Sequence, residues 1–308
     1  MRLVTYSLAV SLMMAFGCST GTVTLPNFDG TRALGFLEKQ VSFGPRVPGT
    51  TASATCRNYY YEYFRSKGLT VDSQVSSFFD PYSTSTIPLV NVVAHVTGTK
   101  PGAGTILLAA HYDSRPRTDF PSDASLSDLP IQGANDGASG VAVLMELAEL
   151  FMQRPPEANI DLVLLDGEDW GKEGETDLYC LGAKSYASQG IHGRYRFAIV
   201  VDMVGDKDQR IYREGYTEMF NRSLNDMIWN AARDLKLTTF ADSTKHAVID
   251  DHLSLNAGGV PSAVIIDFDY AYWHTDQDTP DKCSAESLAN VGRVLAHIVY
   301  NPGLWAKY

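Results

Sequence analysis

Five short segments of this chain carry side chains able to hold a metal ion or move a proton. They are His111-Tyr112-Asp113, Asn135-Asp136-Gly137-Ala138-Ser139-Gly140, Glu168-Asp169-Trp170, Asp202-Met203-Val204-Gly205 and Trp273-His274-Thr275. Imidazole nitrogen mixed with carboxylate oxygen, with no thiolate, is the donor blend of a catalytic zinc site. Adjacent acids such as Glu168 and Asp169 are costly to bring together away from water unless a cation neutralises them. Taken singly, a histidine after a strand is most often a core residue, and an aspartate before a helix is most often an N-cap. The five together argue for one shared ion.

For these segments to meet, the elements before them must end on one edge. Apolar runs at 105–110, 161–165, 197–201 and 262–266 are short enough to be strands buried on both faces. His111, Glu168-Asp169, Asp202 and the loop to His274 follow them in turn. Asp136 lies in a glycine-rich loop before a helix spaced over 141–152. Further helices are spaced over 31–41, 50–67, 181–188, 220–235 and 285–300, and 69–78 alternates as an edge strand does. The run 89–96 has the same apolar, parallel-sheet character. Strands alternating with helices predict an α/β fold: a three-layer α/β/α sandwich with a mostly parallel central sheet. In such a sheet, ligands bind beyond the carboxyl ends of the strands. The segment Phe43-Gly44-Pro45-Arg46-Val47-Pro48-Gly49 is a loop, and its two prolines suggest a fixed shape.

The chain has 308 residues, 44% hydrophobic and 20% charged, which is ordinary globular composition. A net charge of −11 without any basic run excludes a nucleic-acid surface. At the amino terminus, Arg2 precedes an apolar run at 8–16 that is too short to span a bilayer, as in a cleaved export signal. Ala15-Phe16-Gly17-Cys18 resembles a bacterial lipoprotein box, with Phe16 where a small residue is usual. The resemblance implies a signal peptide at 1–17, a lipid-anchored tether at 18–28 and a single catalytic domain at 29–308. It implies export to the periplasm or a membrane-anchored lipoprotein of a bacterium, with Cys18 as the only membrane contact. Cys56, Cys180 and Cys283 then remain, as buried structural thiols or with two of them in a disulfide.

Order, spacing and strand context of the five motifs resemble the co-catalytic zinc aminopeptidase clan and, within it, the animal-type glutaminyl cyclases also found in bacteria. The loop at 43–49 is similar to a cyclase motif. Trp273 stands directly before the last histidine, Asp250-Asp251-His252 carries an extra acid before the clan's Asp-His pair, and Asp177-Leu178-Tyr179 with Gly182 resembles a cyclase run with an insertion. Val264 departs from the vertebrate enzymes, which carry a histidine there.

The resemblance implies one zinc per chain held by Asp136, Asp169 and His274, with the substrate an amino-terminal glutamine of a peptide or protein. Glu168 would shuttle a proton from the attacking α-amine to the departing ammonia. Asp250 would bond the substrate amide nitrogen or share a proton with Asp202. Trp273 would wall the pocket, with Trp170 as a second wall or as a core or rim residue. In an aminopeptidase, Glu168 would instead activate water between two zincs, with His111 and Asp202 on the second. Both ligand sets are present. A metal-free binding lipoprotein on this fold would be expected to have lost ligands.

Overall fold

The computed structural model describes residues 27–308. The segments expected to be an export signal and most of a tether, with Cys18 between them, lie outside the described residues.

Helix α1 (Gly30–Val41) starts at Asp29, whose carboxylate accepts the Arg32 N–H, and α2 (Thr51–Ser66) starts at Thr50, which accepts from Ser53. After α2, Gly68 takes the left-handed conformation and Leu69 N–H returns to Phe64 O, closing the helix end. Then β1 (Thr70–Asp80) and β2 (Ser85–Val96) form a hairpin, its turn fixed by Asp80 accepting from Tyr82 and Ser83. The remaining elements are β3 (Thr105–His111), α3 (Ala138–Gln153), β4 (Asn159–Leu165), α4 (Leu181–Ala187), β5 (Ala198–Asp202), β6 (Ile211–Arg213), α5 (Gly215–Asp234), β7 (Phe240–Thr244), α6 (Asp251–Ala257), β8 (Ser262–Ile266), α7 (Ala285–Tyr300) and α8 (Pro302–Trp305).

The main sheet has the order β1-β2-β4-β3-β5-β8. Strands β4, β3, β5 and β8 are mutually parallel, so their carboxyl ends share an edge as the sequence predicts. The run at 89–96 is not parallel: β2 lies antiparallel to both neighbours. Its hairpin turn is too short for a crossover, and burial on both faces made it resemble its parallel neighbours.

Alternation along each strand builds the layers. Ile106, Leu108 and Ala110 of β3, with Ile199 and Val201 of β5, pack on one face against α1, α2, α3, α5 and α7. Leu107, Ala109, Val163, Val200 and Val264 pack on the other face with Ala183 and Tyr186 of α4 and Leu255 of α6. Truncating a fully buried leucine such as Leu108 to alanine would cost about 2–5 kcal/mol. Helix α3 is apolar nearly all round because it is buried, and its one buried acid, Glu146, takes a bidentate pair from Arg32 of α1 at 2.6 and 2.7 Å.

Helix α5 and the β6–β7 pair also differ from the sequence reading. Helix α5 begins at Gly215, not near 220, because Glu214 caps it by accepting from Tyr216 and Thr217. A kink at Asn221 hides the continuity; its side chain leaves the helix to donate to Asn256 Oδ1 and Ser262 O at 3.0 Å each. The small β6–β7 pair beside α5 carries no extended apolar run. Among the described residues, no helix is long and apolar enough to cross a membrane, and Cys56, Cys180 and Cys283 are buried free thiols.

Candidate metal centre

Each donor is held by a local device. His111 ends β3 and Asp202 ends β5, so sheet register fixes both. Asp136 precedes α3 in a loop clamped by Arg46. That side chain is fully buried and donates to Tyr112 O (2.9 Å), Gln132 O (2.7 Å) and Gly133 O (2.6 Å). This is the role of the proline-flanked loop at 43–49. Asp278 accepts the backbone N–H of Asn135 and Asp136 at 2.8 and 3.1 Å. Asn135 Oδ1 accepts from Gly205 N at 2.6 Å, and Ser139 Oγ accepts from Val204 N at 3.0 Å, tying the start of α3 to the end of β5. Gly137 sits at φ 98°, where a Cβ would meet Asp113 O at 2.4 Å. Gly140 lets α3 approach β5, since its Cβ would lie 2.2 Å from Val201 O.

The predicted ligands converge. His274 Nε2 lies 3.2 Å from Asp169 Oδ1 and 3.8 Å from Asp136 Oδ2. On the other side of Asp136, His111 Nε2 lies 3.1 Å from its Oδ1 and 3.0 Å from Asp202 Oδ1. Two donor trios therefore share Asp136: Asp136, Asp169 and His274, and His111, Asp136 and Asp202.

Their electrostatics differ. In the first trio, Asp169 Oδ2 is buried and has no hydrogen-bond partner. Burial and the charge of Asp169 push the Asp136 carboxyl up to about 7. Burial works against the His274 imidazolium, yet Asp169 and Asp119 raise it to about 9. An orphaned carboxylate oxygen beside a second buried carboxylate and an imidazole is a donor set that fits zinc. In the second trio, burial opposes protonation of His111, but Asp202, Asp113 and Asp136 raise its pKa well above the ordinary value. Both Asp136 and Asp202 approach its Nε2, which carries at most one N–H to share between them.

Residues that sequence reading missed support the ligands. Arg115, fully buried, donates to Asp169 Oδ1 at 2.6 Å and pairs with Asp119 at 2.7 Å. Burial would raise Asp169, but His274 and Arg115 hold it down at about 2. Asp119 accepts from His274 Nδ1 at 2.8 Å, the carboxylate–histidine arrangement that aims the other nitrogen at a metal. His274 sits at φ 55°, held there as its carbonyl accepts from Asp119 N and Phe120 N at 3.1 and 3.2 Å. Asp113 accepts the backbone N–H of Glu168 and Asp169 at 3.0 and 3.2 Å, fixing the turn that presents them. The third acid of that turn, Asp166, points away and binds Val90 N at 2.9 Å. Asp251, fully buried with both oxygens unpartnered, stands beside Asp250 and Glu168 in the same field.

Asp136, Asp169, Asp202 and His274 line a cavity of about 310 Å³ with Glu168, Asp250, Ile249, Phe268 and Trp273. Trp273 stacks on the His274 ring at 3.9 Å and 27° and leans on Phe268 at 5.1 Å. Trp170 is not a second wall. Its Nε1 donates to Asp80 Oδ1 at 3.0 Å and its ring packs on Phe78, drawn from the cavity by the β1–β2 hairpin. Burial raises the Glu168 carboxyl well above its usual range; His111 opposes this and Asp169, Asp251 and Asp250 add to it. Burial and Asp202 bring Asp250 up to about 6. Val264 lies within the apolar face of β8 and offers no polar group.

Fold and donor set together define a metal-dependent enzyme with the zinc exopeptidase-like α/β/α architecture. Residues 91–299 match Peptidase family M28, and the chain belongs to that family. A solved glutaminyl cyclase of Bacteroides thetaiotaomicron, bound to N-acetylhistamine, is 33% identical with a TM-score of 0.85, covering 90% of this chain and 99% of that one. A structure described as a leucine aminopeptidase precursor from the same species gives the same figures. A probable zinc metalloprotease of Leptosphaeria maculans is 36% identical over 142 residues, 44% of this chain and 31% of that protein. The chain spans about a third of the length of the curated relatives it matches first.

Proposed function

We propose that this chain converts the amino-terminal glutamine of peptides to pyroglutamate with release of ammonia, using one zinc held by Asp136, Asp169 and His274. The observation that carries the reading is Trp273, stacked on His274 and facing Glu168 and Asp250 across a small cavity. That arrangement offers an apolar wall for a methylene stem and carboxyl groups for the nitrogen chemistry at its end. The similarity to a glutaminyl cyclase over nearly its whole length supports it.

Zinc, when bound, supplies Lewis-acid polarisation of the glutamine side-chain carbonyl. The protein holds the α-amine against that carbon, so ring closure is intramolecular and positioning is the main demand. The amine nitrogen bonds to the side-chain carbonyl carbon, and the carbon–amide nitrogen bond breaks. Glu168 takes one proton from the amine and returns it to the leaving ammonia. Burial raises its affinity for a proton, which strengthens it as the acceptor of the amine proton. Asp250 Oδ2, buried and unpartnered at the cavity wall, accepts from the substrate amide nitrogen or shares a proton with Asp202.

The count of one zinc belongs to the cyclase reading, and the similarity to a glutaminyl cyclase supports it. The second reading, an aminopeptidase with two zincs, draws on the same His111, Asp136 and Asp202 trio. Metal analysis separates them: one zinc per chain is expected, and two would favour the peptidase. Glu168→Gln should keep the zinc and lose most turnover; near-normal turnover would reassign the shuttle. Export with a lipid on Cys18 belongs to the same reading, supported by the apolar run at 8–16 before that cysteine.

A further inference from the structure

We infer that the groove between α4 and α6 receives the substrate's third and following residues, and selects peptides that are neutral or basic there over acidic ones. The inference rests on the cyclase reading above. The groove is a separate depression of about 500 Å³, with Lys184 and Ala187 of α4 facing Leu253, Ser254 and Ala257 of α6. It is continuous with the metal-bearing cavity, because Thr176, Ile249 and Asp250 line both.

A glutamine seated with its amine at Glu168 fills the inner cavity, and its carboxyl side must leave over a shared wall. Asp250 and Ile249 form that wall, where the chain passes from the cavity into the groove. Beyond it, Leu253, Ala257 and Ala187 give an apolar floor, and Ser254 adds a hydroxyl that both donates and accepts.

Charge along the rim is acidic on balance. Asp177 lines the groove and Glu173 the cavity beside it, and among the described residues neither has an ion-pair partner. Lys184, the cation in the groove lining, spends its Nζ on the carbonyls of Thr176 and Asp177 at 3.0 and 3.1 Å. Two carboxylates, Asp177 and Glu173, stand against the single ammonium of Lys184, so an incoming basic side chain is favoured over an acidic one.

The test is steady-state ammonia release by the zinc-loaded protein from glutaminyl-alanine amide and from two pentapeptide amides. The longer pair differ only in lysine or glutamate at the fourth position. The lysine peptide should show a KM roughly tenfold below that of the dipeptide, equivalent to about 1.4 kcal/mol, and the glutamate peptide should lose that gain. Ala257→Trp, at an exposed helix position, should return the lysine peptide's KM toward the dipeptide value and leave the dipeptide unchanged. Asp177→Lys should invert the preference. Equal KM values for short and long peptides, or an equal effect of Ala257→Trp on both, would overturn the groove while leaving the cyclase reading intact. Absence of ammonia from every peptide would remove both.

Discussion

The thiol of Cys180 donates to Glu168 Oε1 across 3.3 Å, while the Cys180 backbone N–H donates to Glu168 O at 2.8 Å. Cys180 holds this position at φ 55°, in the left-handed region, almost wholly buried. Burial and the neighbouring acids keep its thiol protonated, so it remains a donor and aims the Glu168 carboxyl. Cys180→Ala should lower kcat about fivefold with little change in KM, as loss of one weak hydrogen bond worth about 1 kcal/mol would do. Cys180→Ser should restore most of it. Equal losses in the two variants would show that packing, not donation, is the role.

Arg46 ties the proline-flanked loop to the loop that carries Asp136. Arg46→Met leaves two buried carbonyls, of Tyr112 and Gly133, and the part-buried carbonyl of Gln132 unpaired, which should cost about 2–5 kcal/mol of stability. Urea unfolding of the zinc-loaded protein measures it. Zinc affinity should fall with it, because the Asp136 loop loses its clamp; an unchanged midpoint would contradict the assignment.

Asp119 fixes the orientation of His274 from behind. Asp119→Ala should weaken zinc binding about 10–100-fold with the fold retained, read by competition with a chromophoric chelator. Affinity equal to that of the parent would mean that the backbone bonds to the His274 carbonyl suffice.

The acid–base state of the metal-free site sets a pH dependence for binding. Below about 9, His274 carries a proton that zinc must displace, so apparent affinity should fall about tenfold per pH unit from 9 toward 7. Below about 7, Asp136 also binds a proton and the slope should steepen. Calorimetric titrations across this range would register the released protons. A flat profile would exclude these two residues as ligands.

Much of this site is legible in the sequence because parallel strands buried on both faces give unbroken apolar runs, and the residues after them share one edge. His111, Glu168, Asp169 and Asp202 were readable for that reason, and Asp136 from the glycine loop before α3. The supporting residues were not. Arg115 and Asp119 lie in an irregular loop whose path depends on contacts with His274 and Asp169, far along the chain. Of the two roles the sequence leaves open for Trp170, the buried one holds: adjacency to Asp169 says nothing about side-chain direction, and the hairpin acid Asp80 takes its indole. Strand β6 spans three residues, below the length at which alternation can register. Asp251 was read only as half of an Asp-His pair; its burial without partners arises from the packing of α6.

The central claim is that Asp136, Asp169 and His274 hold one zinc that turns a glutaminyl amide toward its own amine. Mass spectrometry of a glutamine-initiated peptide after incubation with the zinc-loaded protein tests it most directly. The account predicts a product lighter by one ammonia with every peptide bond intact. A shortened peptide with free glutamine beside it would contradict the account and mark the protein as an aminopeptidase.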